Sequence, residues 1–107
     1  MAFNIKQNDT SPQITATLAD GSGNAVDLTS ASVRFHMKKI GATSATVDAA
    51  ATIVNEDTGS VTYVWQATDT AIAGSYLAEF EVTYTNGAVE TFPNDTSIAV
   101  VITEDLA

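Results

Sequence analysis

Polar and apolar residues alternate with a period of two along most of this chain, and that pattern admits little except β-structure. Ile14, Ala16 and Leu18 alternate with Thr15 and Thr17; Val33, Phe35 and Met37 with Arg34, His36 and Lys38; Val61, Tyr63 and Trp65 with Thr62 and Gln66. The most regular run sets Tyr76, Ala78, Phe80, Val82 and Tyr84 against Glu79, Glu81 and Thr83. Successive side chains of a strand point to opposite faces, so each run predicts a strand with one buried and one wet face. Thr, Val, Ile and aromatic enrichment suits a half-buried pleated surface. No segment sustains apolar residues at i, i+3, i+4 and i+7, which limits helix to about a turn, around Thr68 to Ala73.

Turn chemistry separates the runs. Asp20-Gly21-Ser22-Gly23-Asn24 leads to an extended segment at Val26 to Leu28, Glu56-Asp57-Thr58-Gly59 precedes the strand from Val61, and Asn86-Gly87 predicts a hairpin through a type I′ turn, with its second arm from Ala88 to Phe92. Ser97 to Thr103 makes a closing strand. The sum is an all-β, immunoglobulin-like β-sandwich of about seven to eight antiparallel strands. Tyr76, just after Gly74, is placed to act as a tyrosine corner, its hydroxyl bonding backbone a few residues upstream, and Asp69 to cap the preceding turn. Gly41 to Ala51, rich in small residues, is either an edge strand or a loop.

With 107 residues the chain is expected to be one domain, 1–107, and with 45% hydrophobic against 16% charged residues it buries enough to fold. A formal charge of -9 repels phosphate backbones and anionic lipid, so neither nucleic acid nor membrane is expected as a partner. Cysteine is absent, which removes disulfides and thiolate metal sites. The N-terminus lacks the basic and apolar segments of a secretory leader, so synthesis and folding in the cytoplasm are expected.

Chemistry is sparse. His36, the single histidine, lies on a wet face with Arg34 and Lys38, and no nucleophile or activating motif accompanies it. Asp20, Asp27, Glu56, Asp57 and Asp95 stand in loops but do not form a calcium-loop pattern, so solvated charge is preferred over a site assembled from separate loops. Glu79 and Glu81 read as a solubilising face, and Gly21 and Gly23 lack the helix and lysine of a phosphate cradle. Trp65 and Tyr63 are expected in the core; the alternative is an exposed sugar-stacking platform of a carbohydrate- or cell-surface-binding module. No residue is assigned a catalytic, cofactor-binding or metal role, and no cofactor is expected.

Four stretches carry a family resemblance across nearly the whole chain: KQNDT at Lys6 to Thr10, VDLTSASVRF at Val26 to Phe35, GSVTYVWQATDT at Gly59 to Thr70 followed by AGSY, and NGAVETFP at Asn86 to Pro93. In this order they resemble the immunoglobulin-like N-terminal domain of the phage baseplate upper protein family. The resemblance implies a non-enzymatic virion structural protein, made in the host cytoplasm, docking onto capsid, neck, tail or baseplate proteins, with homo-oligomerisation on the particle an associated expectation. With no downstream region after Ala107, a stand-alone accessory protein is expected, capsid decoration and tail or baseplate attachment being competing roles. The arm Ala2 to Ser11 and the segment Gly41 to Ala51 are the candidate contact regions.

Overall fold

Among the described residues the alternating runs become nine strands, and their apolar faces meet between two sheets. The computed structural model describes residues 2–94 and 96–106. The strands are β1 (Ala2–Lys6), β2 (Ile14–Thr17), β3 (Ser32–Lys39), β4 (Val47–Ala50), β5 (Thr52–Asn55), β6 (Ser60–Tyr63), β7 (Gly74–Thr83), β8 (Val89–Phe92) and β9 (Ile98–Thr103). The larger sheet runs β1-β9-β7-β3-β4, with β8 also paired to β7; the smaller runs β2-β6-β5. The count exceeds seven or eight because the extended run from Val47 to Asn55 changes sheet at Ala51, β4 pairing with β3 and β5 with β6. One pair departs from the antiparallel expectation: β1 lies parallel to β9, from Ala2 opposite Ala99 to Lys6 opposite Thr103.

Inward residues follow the alternation closely. Phe35 and Phe80, opposite one another on β3 and β7, are fully buried, as are Val61, Val82 and Val100. Phe35 sits at the centre, stacked on Tyr63 at 4.7 Å between ring centroids and edge-on to Trp65 at 5.6 Å. Such ring pairs add about 0.5–1.5 kcal/mol each beyond their buried area. Trp65 lies just past the end of β6 yet is only 1% exposed, and Phe3 of β1 closes over it at 5.7 Å.

The turns refine the expectations in three places. Residues 66–71 form turns, with Asp69 N–H donating to Gln66 O, rather than a helical turn. At the β7–β8 connection Gly87 has a positive φ of 86° while Asn86 does not. Gly87 N–H donates to Tyr84 O and Tyr84 N–H to Ala88 O. This is a three-residue loop with a type I turn and a glycine bulge, and it replaces the expected type I′ turn, which needs positive φ at both central residues. Gly41 to Ala51 resolves into a loop followed by the edge strand β4.

Candidate docking surface

The chain crosses between sheets at a corner that ties together two of the stretches that carry the family resemblance. Tyr76 hydroxyl donates to Ile72 O at 2.6 Å, the expected tyrosine corner. Asp69 accepts from Tyr63 hydroxyl at 2.6 Å and from Gln66 N–H at 2.8 Å. The Tyr63 phenol is held well above its ordinary value, first by burial and then by the Asp69 carboxylate it donates to. From the other side, Gln7 side-chain amide donates to Ala71 O, Asn8 N–H to Thr70 O, and Thr70 hydroxyl to Asp9 O. The KQNDT stretch is therefore a clamp on the ATDT turn. Gly59, which opens the same stretch that ends in the ATDT turn, has φ 71°, and a Cβ there would meet Leu18 O at 2.6 Å, so the close approach of backbones demands glycine.

His36, Glu79, Asp20 and Asp27 are engaged in structural contacts. His36 lies between two carboxylates, its Nδ1 3.1 Å from Glu79 and its Nε2 3.2 Å from Asp48, while Arg34 Nε donates to Asp48 at 2.9 Å. This row crosses β4, β3 and β7 on the outer face of the larger sheet, beside an open depression of about 460 Å³ that Leu77 and Lys38 also line. Glu81 stands opposite Arg34 in the same ladder.

Asp20 accepts from Ser22 and Asn24 N–H groups, and Asp27 from Thr29 N–H and hydroxyl. These bonds hold both carboxyls below the ordinary aspartate range, for Asp20 chiefly the backbone bond from Asn24 and for Asp27 chiefly the Thr29 hydroxyl. Among the described residues no three His, Asp or Glu side chains gather as a metal site would require. Asp95 lies outside the described residues. Trp65 and Tyr63 are in the core, 1% and 5% exposed, which leaves the sugar-platform alternative without its two rings.

The remaining candidate is the edge of the sandwich. The arm Ala2 to Ser11 is not a loose tail: Ala2–Lys6 is in register with β9 and buries Ile5. Its alternation of Phe3 and Ile5 with Asn4 and Lys6 was a signal for this, but the parallel partner lies some hundred positions along the chain and no local pattern names it. β1 and β2 are the adjacent edges of the two sheets and do not pair with each other. Between them lies a groove of about 360 Å³, lined by Ala2 and Phe3 of β1, Ile14, Thr15 and Ala16 of β2, Pro93, Thr96 and Ser97 of the β8–β9 connection, and Ile98 at the start of β9. None of these described lining residues carries a charge, in a chain with 13 acids and 4 bases.

Comparison with known proteins bears on both fold and family. A similar solved structure is the crystal structure of CopC from Methylosinus trichosporium OB3b, with a TM-score of 0.55 and 11% identity, covering 99% of this chain and 87% of that one. At that identity the likeness shows a shared β-sandwich fold. No curated protein matches the chain. The family model for the BppU N-terminal domain matches residues 2–101, which takes in all four quoted stretches. The chain belongs to the BppU N-terminal domain family, a family of phage baseplate structural proteins.

Proposed function

We propose that this domain docks onto other virion proteins by accepting an extended segment of a partner along the open groove between β1 and β2. The observation that carries this reading is a groove whose described lining residues are uncharged and largely apolar, flanked on both sides by unpaired backbone edges. An added strand gains main-chain hydrogen bonds from such an edge and side-chain contacts from the groove. β1, five residues long, offers roughly 17 Å of edge. The chain's charge of -9 favours a partner that is basic around the docking segment, since long-range attraction speeds encounter while the uncharged described lining of the groove avoids desolvating ions. The role is structural and calls on no catalytic group or cofactor. Family membership favours tail or baseplate attachment over capsid decoration.

Mass spectrometry of purified particles separated into heads and tails tests the location. Recovery with tails at low copy supports attachment there; high copy in heads establishes decoration instead; absence from both sinks the virion reading. The groove is tested by Thr15→Lys, which places a charge at an exposed groove position, with Ala50→Lys on the opposite edge strand β4 as control. Thr15→Lys is expected to weaken partner capture about tenfold, or about 1.4 kcal/mol. Loss on Ala50→Lys alone would move docking to β4.

A further inference from the structure

We propose that Asn86 is a site of spontaneous deamidation whose rate in the folded protein is set by opening of the β7–β8 hairpin. Of the six asparagines only Asn86 precedes a glycine, where no side chain obstructs attack by the following amide. Residues 85–88 are exposed, so water reaches the loop. In the reaction the backbone nitrogen of Gly87 attacks Asn86 Cγ. A C–N bond forms, the Cγ–Nδ2 bond breaks, and ammonia leaves with the proton lost from the amide nitrogen. Water then opens the cyclic imide at either carbonyl, leaving aspartate or isoaspartate at position 86.

The closed turn opposes the first step at both reacting groups. Gly87 N–H, whose proton must be lost, donates to Tyr84 O at 2.9 Å. The carboxamide to be attacked is tethered through its Oδ1, which accepts from Ala88 N–H at 2.9 Å. The Gly87 bond closes the turn and breaks only when the hairpin tip opens, while the bond to the exposed Asn86 side chain also yields to rotation of that side chain. That opening is local: β8 has four residues, of which only Phe92 is buried, and its tip is braced by Tyr84 hydroxyl donating to Glu90 at 2.8 Å. The product opposes reclosure. Isoaspartate inserts a backbone carbon into a loop whose length fixes the pairing of Thr83 with Val89, and either product adds a negative charge to a chain already at -9.

The test follows conversion at each asparagine by peptide mapping of the full chain, incubated at one pH and temperature in native buffer and in denaturant. Asn86 is expected to convert in both, at least about tenfold more slowly in native buffer, as for a closed turn favoured by about 1.4 kcal/mol. The other five asparagines are expected to stay intact over the same time. Tyr84→Phe, which removes the brace, should raise the native rate several-fold and leave the denatured rate unchanged. Glu90→Gln, which weakens the same bond, should act in the same direction with the fold intact by circular dichroism. Equal rates in native buffer and denaturant would overturn the gating, as would native rates unmoved by both variants. Earlier conversion at another asparagine would overturn the site.

Discussion

The two long sides of the sandwich are built differently. On one side the edge strands of the two sheets, β4 and β5, are a single extended run, and Ala51 is the residue at which it changes partner, its N–H donating to Val33 O. That side is closed covalently. On the other side β1 and β2 are joined only through residues 7–13, and the groove between them stays open. The closed side carries polar and charged side chains on the outside, with Arg34, His36 and Asp48 in contact; on the open side the described residues of the lining are uncharged. An exposed edge is a hazard that proteins blunt with charge, short strands or covering elements. Here one edge is blunted by small size and an ionic row, and the other is left suited to a partner.

Both sides rest on one aromatic cluster, so the largest effect should not discriminate between them. Phe35→Ala removes a fully buried ring that contacts Tyr63, Trp65 and Phe80. A loss of about 3–5 kcal/mol is expected in chemical denaturation. Retention of docking by this variant at low temperature would show that the groove needs only the outline of the core. Next come the residues that pin each edge strand. Ile5→Ala on the open side should cost about 2–5 kcal/mol, and Val47→Ala on the closed side about 1.5–3 kcal/mol because fewer buried carbons are lost. A smaller cost for Ile5 than for Val47 would mean that β1 is held mainly by its pairing with β9, which would break the picture of a firmly anchored groove wall.

How much of this contrast is legible in the sequence depends on how local its causes are. The inward sets on β3 and β7, the tyrosine corner at Tyr76 and the capping role of Asp69 are all read from spacing, because alternation and turn geometry act over a few residues. The sheet switch at Ala51 is not, since a continuous extended run looks the same whether its halves pair with one sheet or two. The clamp of Gln7, Asn8 and Asp9 on Thr70 and Ala71 is likewise hidden by the distance between them in sequence. The Asn86-Gly87 hairpin was legible as a turn, but its type depended on one extra loop residue, Thr85, that the dipeptide alone does not specify.

The two sides should also loosen at opposite ends of the pH scale. On the open side's corner, Tyr63 is raised above its ordinary 10.0 by burial first and by Asp69 second. Its contribution is fully present below 10.0 and is lost as pH rises through the folded value, because the unfolded phenol ionises first. Tyr84 behaves in the same sense, pushed up to about 12 by burial and then by Glu90. On the closed side, Asp48 is held below its ordinary 3.8, chiefly by its bond from Arg34. That contribution is present above 3.8 and is lost as pH falls through the lower folded value. Amide protection, taken relative to intrinsic exchange at each pH, should therefore fall at Gln66 above pH 10.0 and at residues of β4 below pH 3.8; the reverse assignment would undo the contrast.

The smallest expected effect belongs to the most conspicuous ionic contact. Arg34 and Asp48 make a well-formed bond at 2.9 Å, with a second from the guanidinium to Asp48 O, yet their side chains are 48% and 59% exposed. In that setting water screens the attraction, and holding two long side chains in one geometry costs entropy. Arg34→Ala should lower the melting midpoint by no more than about 4 °C. Docking through the β1–β2 groove should be unchanged, because Arg34 stands on β3, toward the closed edge. If capture falls while the midpoint holds, the outer face of the larger sheet is the contact surface, and the depression beside His36 replaces the groove as the place where a partner sits.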